Sequence, residues 1–235
     1  MNEATNLKPY QGRVYRNIAT LHPSQELMDD LVDKPSDQNR LKIFYYLEKK
    51  NTSPTERVLN RSLASLIQEE IQAKFTPQKW FSSRFSDGSW PVLYSAEDEK
   101  TALYETMFHA RNFYKEEILN RGFIQITRRV LTLRLESQYH LNLNENDFSK
   151  LYFLNEPNFS SYPQCQNLAS EWIQKGCELF RTPSARRPGG ICTPIFKKEI
   201  IAQDEGHLKY LECILSAENV KVLEESETIS YSSNT

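Results

Sequence analysis

A chain of 235 residues with 39% hydrophobic and 26% charged side chains has the make-up of a globular domain with a substantial core, which excludes a disordered or fibrous chain. Its 29 basic and 31 acidic residues leave a formal net charge of -2, so no global electrostatic argument favours DNA, RNA or an anionic membrane. No apolar run approaches the roughly 20 residues of a membrane helix. The polar stretch Met1 to Tyr10 carries no apolar signal segment, so a cytoplasmic location is expected. Cys165, Cys177, Cys192 and Cys213 form no CxxC pair and fit reduced thiols rather than a disulfide scaffold. His22, His109, His140 and His207 are scattered, with no spacing that supports zinc.

In chain order, Val14-Tyr15 predicts an early strand. Residues from about Ser24 to Phe75 read as helical: Leu41, Phe44, Tyr45 and Leu47 make one stripe, and Val58, Leu59, Leu63, Leu66, Ile67 and Ile71 recur at helical spacing. Ser86-Asp87-Gly88-Ser89 predicts a turn, and Pro91 to Tyr94 a short buried strand. Ser95 with Asp98 three residues on has the form of a capping box opening a helix that runs to about Tyr114. Leu131, Leu133 and Leu135 alternate with Thr132 and Arg134 as in a half-buried strand. Leu168, Ala169, Trp172 and Ile173 share a helix face that Gly176 can end. Strands are expected at Glu178 to Arg181 and Cys192 to Phe196, while His207 to Leu223 fits helix or strand. The Ser- and Thr-rich residues 226–235 are expected to form a disordered tail. The class is α+β, one domain over residues 1–225. Neither GxGxxG nor GxxxxGK is present, which disfavours a doubly wound nucleotide-binding sheet.

Three places can carry chemistry. Arg84, before the turn, is either a solvated charge or a fork of donors for phosphate or carboxylate. Glu105 shares a narrow polar stripe with Thr101 and His109 on an otherwise apolar helix. It is either a carboxylate in a polar seam or a working acid, since glutamate is rarely buried without a partner. Thr182 to Gly190 combines a Pro-Ser turn, Arg186, Arg187 and two glycines, as a basic surface loop or an anion cradle.

Taken in order, these segments resemble the RES domain, a family named for its Arg, Glu and Ser. The resemblance runs through Val14-Tyr15-Arg16, Arg84-Phe85-Ser86, Pro91 to Ser95, Ala102 to Glu105, Gln166 to Ala169 with Trp172, Pro183 to Arg186, Gly189-Gly190 and Ile195-Phe196. It covers about residues 76–196 plus the opening strand, and leaves the stretch near 24–75 as a helical insertion. The family's Asn-Pro pair after the serine is replaced by Cys192-Thr193-Pro194. The resemblance implies a fold like that of ADP-ribosyltransferases. It also implies cleavage of the ribose–nicotinamide bond of NAD by an NAD glycohydrolase or phosphorylase, with NAD as substrate, phosphate as a candidate co-substrate and no resident cofactor or metal. The implied catalytic residues are Arg84, Glu105 and Ser184. Arg84, with Arg16 or Arg186 as further candidates, would hold the pyrophosphate, and Tyr94 and Tyr15 the nicotinamide end. It further implies a toxin paired with an Xre-type antitoxin protein, and is compatible with a homo-oligomer. Two other readings share the motifs: an ADP-ribosyltransferase that modifies a macromolecule, and a nucleotide-binding interaction module without catalysis.

Overall fold

The computed structural model describes residues 6–19, 68, 71–76, 80–204, 209–223 and 227–230. The stretch expected as a helical insertion at 24–75 lies outside the described residues, apart from a short helical piece at 71–75. The spine of the molecule is β2 (Phe123–Asn142), a strand of 20 residues. One edge of it pairs antiparallel with β1 (Leu7–Ala19), from Leu7 opposite Leu141 to Ala19 opposite Arg128. A strand has two edges, so the other takes its remaining partners in succession. These are β6 (Lys209–Ser216) along Phe123 to Val130, β5 (Ile201–Asp204) at Leu133 to Leu135, and β3 (Leu179–Pro183), parallel, at His140 to Asn142. Beyond them, β4 (Ile191–Cys192) extends the sheet past β3, and β7 (Asn219–Val222) and β8 (Glu227–Ser230) extend it past β6. The sheet is mixed and packs with helices, an α+β architecture.

The Leu131–Leu135 segment is more enclosed than a half-buried strand, with Thr132 buried and Arg134 exposed. Successive strand residues face opposite sides. Here Val130 joins one apolar cluster with Leu103, Met107, Ile118 and Leu215, while Leu131 joins another with Val14, Leu93, Leu179 and Ile195. Both faces of the strand are therefore covered. A third cluster, built from Phe85, Leu141, Phe180, Trp172 and Phe196, lies beneath the Arg84 turn. Phe180 stacks edge-on against both Phe85 and Phe196.

Two helices follow the turn region, α1 (Glu99–Phe113) and α2 (Lys115–Arg121). The start of α1 departs from the sequence expectation. Its N-cap is Asp98, whose Oδ1 accepts from Thr101 N at 2.9 Å in an extended backbone conformation. Ser95 instead donates from Oγ to Thr193 O at 2.8 Å. The reason is that residues 93–96 are already committed to extended pairing. Leu93 bridges Ile195, and Ala96 bridges both Tyr15 and Cys192, so the chain cannot turn helical until it has cleared them. The same single bridges explain why Pro91 to Tyr94 is an extended segment rather than a regular strand, and why the strand expected at Cys192 to Phe196 is reduced to β4 plus a bridge at Ile195. Asp98→Ala should lower the unfolding free energy by about 0.5–2 kcal/mol, read as a drop in denaturation midpoint. Ser95→Ala should leave the helix start intact. An unchanged midpoint for Asp98→Ala would refute the cap.

The third helix, α3 (Tyr162–Gln174), buries Ala169 and Trp172 as the periodicity predicts. Gly176, at φ 89°, lets Gly176 N reach Ile173 O and Cys177 N reach Trp172 O, both at 2.9 Å, which closes the helix end. The ambiguous region after His207 resolves into β6 and β7. Within the expected disordered tail, Glu227–Ser230 pairs with β7, Ile229 opposite Val220. The open backbone edge of β7 offers that segment hydrogen bonds that composition cannot reveal. The four cysteines are free thiols, all buried.

Candidate active site

Arg16, Arg84, Glu105, Arg186, Tyr15 and Tyr94 line one cleft with about 680 Å³ of empty space, counting its open mouth. Each residue arrives on a different element. The long β1–β2 pairing brings Arg16 in on β1, where its Nη1 donates to Tyr94 O at 2.7 Å. The Ser83–Ser86 turn presents Arg84, and α1 presents Glu105 two turns from its cap. The loop after β3 presents Ser184 and Arg186.

Glu105 is the centre of this arrangement. Ser184 Oγ donates to its Oε1 at 2.5 Å, and the Cys192 thiol approaches the same oxygen at 3.5 Å. Burial pushes the Glu105 carboxyl up, but the Arg186 and Arg84 guanidiniums, the Ser184 hydroxyl and His109 together outweigh it and hold it below the usual carboxylate range. Glu105 is therefore ionised at neutral pH. Burial, and then the Glu105 charge, raise the Cys192 thiol well above its ordinary value, so it stays protonated and is a poor nucleophile. The Ser184 hydroxyl is fully used: besides its donation to Glu105, its oxygen accepts from Arg186 N at 3.2 Å and Arg187 N at 3.0 Å. Its proton points at the Glu105 carboxylate, and two backbone N–H groups hold its oxygen.

The guanidiniums are placed differently. Arg16, Arg84 and Arg186 expose 3%, 8% and 9% of their surface, unusual for arginine. Arg84 lends Nη2 to Leu154 O, and its Nε is buried without a hydrogen-bond partner among the described residues. Arg186 lies over the Phe108 ring, its Cζ 3.9 Å from the centroid, and its Nε and Nη1 have no hydrogen-bond partner among the described residues. Leaving such donors unmet costs about 1–3 kcal/mol or more for a charged group. A bound ligand and an ordered water are both acceptors that would meet buried donors of this kind.

Each of the seven residues singled out in the sequence thus comes to this place, Ser184 through its bond to Glu105 and the others as cleft lining. Tyr94 also serves the scaffold, its hydroxyl lying 2.9 Å from Ser83 Oγ and accepting from Phe85 N at 2.9 Å. Sequence reasoning did not single out Phe108, Cys192 or Asn17. Phe108 sits three residues after Glu105, so helical spacing alone could have raised it. Cys192 and Asn17 carry no comparable signal. Asn17 lines the cleft because β1 turns it there, with its Oδ1 accepting from Arg128 Nε at 2.8 Å.

The profile of the RES domain family matches residues 58–212, about two thirds of the chain. The opening strand falls before that span, although it is the longest partner of β2. No match is found among curated proteins. Among solved structures, a chain of the M. tuberculosis MbcT–MbcA toxin–antitoxin complex is similar at 13% identity. The likeness covers 91% of this chain and 89% of that one, with a TM-score of 0.45. On the strength of the profile match, which spans the Arg84 turn, the Glu105 helix and the Ser184 loop in order, this chain belongs to the RES domain family.

Proposed function

We propose that this protein consumes NAD by breaking its ribose–nicotinamide bond, with water or inorganic phosphate as acceptor. The observation that carries the reading is one cleft lined by the Glu105 carboxyl and by the Arg84 and Arg186 guanidiniums, which hold that carboxyl below its usual range and keep buried donors unmet among the described residues. The bond that breaks joins C1′ of the ribose to a pyridinium nitrogen. Its electron pair goes to that nitrogen, and nicotinamide leaves neutral, so no second carboxylate is needed to protonate it, unlike ordinary glycoside cleavage. Positive charge develops on the ribose instead. A fixed carboxylate beside it stabilises the transition state electrostatically. The acceptor then bonds to C1′ and, if it is water, loses a proton to solvent. Arg84, Arg186 and Arg16 suit the pyrophosphate through charge-assisted bonds, and Tyr15 and Tyr94 offer faces for the nicotinamide end.

The family resemblance supports a further step: the chain acts as the toxin of a pair, held in check by an Xre-type antitoxin protein. Incubating purified protein with NAD, with and without phosphate, tests the activity. Free ADP-ribose in both conditions supports hydrolysis, and ADP-ribose phosphate formed only with phosphate supports phosphorolysis. Label moved from NAD onto protein or nucleic acid would replace the reading with an ADP-ribosyltransferase. NAD that binds and persists unchanged would replace it with a non-catalytic module.

A further inference from the structure

The tip of α1 presents two adjacent carboxylates to the segment that carries Ser184. Glu97 takes Arg181, three residues before the serine, and Asp98 takes Arg187, three residues after it. The two grips differ in form. Arg181 reaches the two Glu97 oxygens from Nε at 2.5 Å and Nη2 at 2.9 Å, a forked pair, and it stands on β3, which the sheet already holds. Arg187 lies in the loop, and its side-chain hydrogen bonds converge on one nitrogen. Nη1 donates to Asp98 Oδ1 at 3.1 Å, to Asp98 Oδ2 at 3.0 Å and to Thr101 Oγ1 at 2.7 Å. The loop is otherwise closed on itself, Ser184 N donating to Gly190 O at 2.8 Å and Gly190 N to Arg187 O at 3.0 Å. It also lies hard against the first turn of α1: a Cβ on Gly190 would stand 2.5 Å from Thr101 Oγ1. Asp98 is the N-cap of the helix that carries Glu105. The Arg187 contact therefore ties the loop that presents Ser184 and Arg186 to the helix that presents Glu105.

We propose that Arg187 is a positioning residue: by fastening the 184–190 loop to the cap of α1, it sets the Ser184–Glu105 hydrogen bond and keeps Arg186 over Phe108. Its kinetic consequence rests on the NAD-cleaving reading; its structural consequence does not. The competing account is that a partly exposed ion pair contributes almost nothing, as many do.

The two accounts differ in what a lysine does. Three acceptors meeting on a single nitrogen suit a compact ammonium with three donors, whereas the Arg181 fork does not. Arg187→Met keeps the stem and removes charge and donors. It should lower kcat for NAD by about 10- to 100-fold through a displacement on the order of 1 Å. Arg187→Lys should restore kcat to within about threefold of the parent. Hydrogen exchange of residues 184–190 supplies a second readout: protection should fall in Arg187→Met and persist in Arg187→Lys. Should Arg187→Met fail to fold, Asp98→Asn takes its place, since asparagine keeps the cap acceptor but weakens the grip. Parent-like kcat in the folded Met variant, or a Lys variant as impaired as the Met variant, would overturn the proposal. If the parent leaves NAD intact, the NAD reading fails by itself. Exchange then decides: loss in Met with retention in Lys upholds the clamp, and equal protection in parent, Met and Lys proteins overturns it.

Discussion

Glu105→Gln should lower the turnover of NAD by about 100- to 1000-fold, the loss expected when one preorganised electrostatic stabiliser is removed. Affinity for NAD should stay within a few-fold. The substitution is nearly isosteric, and its amide oxygen can still accept from Ser184 Oγ, so the loop remains docked. What disappears is the negative charge that faces the ribose as it becomes cationic. An interaction made only in the transition state shows in kcat, not in KM. Steady-state kinetics with direct NAD binding on the folded variant measure both. Near-normal turnover would remove Glu105 from the chemistry.

Arg186→Met should act mainly on binding. The guanidinium stacks on Phe108, and its Nε and Nη1 have no hydrogen-bond partner among the described residues, so a bound phosphate would gain one or two charge-assisted hydrogen bonds there. Each is worth about 1.5–3 kcal/mol. Losing even one of them should raise KM for NAD by about 10- to 100-fold, at roughly a factor of ten per 1.4 kcal/mol. A second effect follows from the Glu105 carboxyl. Burial raises its pKa, and Arg186 is the largest of the influences that lower it. Removing Arg186 lets burial act with less opposition, so the carboxyl takes up its proton at higher pH. The acid limb of the kcat profile, where activity is lost as pH falls through the folded pKa of Glu105, should move upward. An unchanged KM with an unmoved acid limb would place Arg186 outside the site.

Much of the local structure was legible in the residues themselves. The 15-residue helix α1 ends one residue from its predicted limit, and α3 buries the face its spacing predicts, because a helical period is written in neighbours three and four apart. The Gly88 turn and the Gly176 helix end were legible for a similar reason: both glycines adopt positive φ, a local demand that the residue type discloses. Where a segment's fate depended on distant partners, sequence was a poorer guide. Ser95 has the chemistry of a cap but is held extended by Thr193, 98 residues away, while its neighbour Ala96 pairs with Tyr15, and Asp98 takes the role. Glu227–Ser230 reads as tail until β7 offers it an edge.

The same division holds at the site. Arg84, Glu105 and Ser184 were recognisable because their motifs recur in order along the chain, and the family profile spans them. What tertiary structure decided is how they are used. The sequence determined that a carboxylate, a hydroxyl and several guanidiniums are present. Only packing spends the Ser184 hydroxyl on Glu105, sets Arg186 on Phe108, and draws Arg187 to the cap of α1. Hydrogen-bond geometry between residues about 80 positions apart is a property of the sheet and helix that carry them, and no local pattern encodes it.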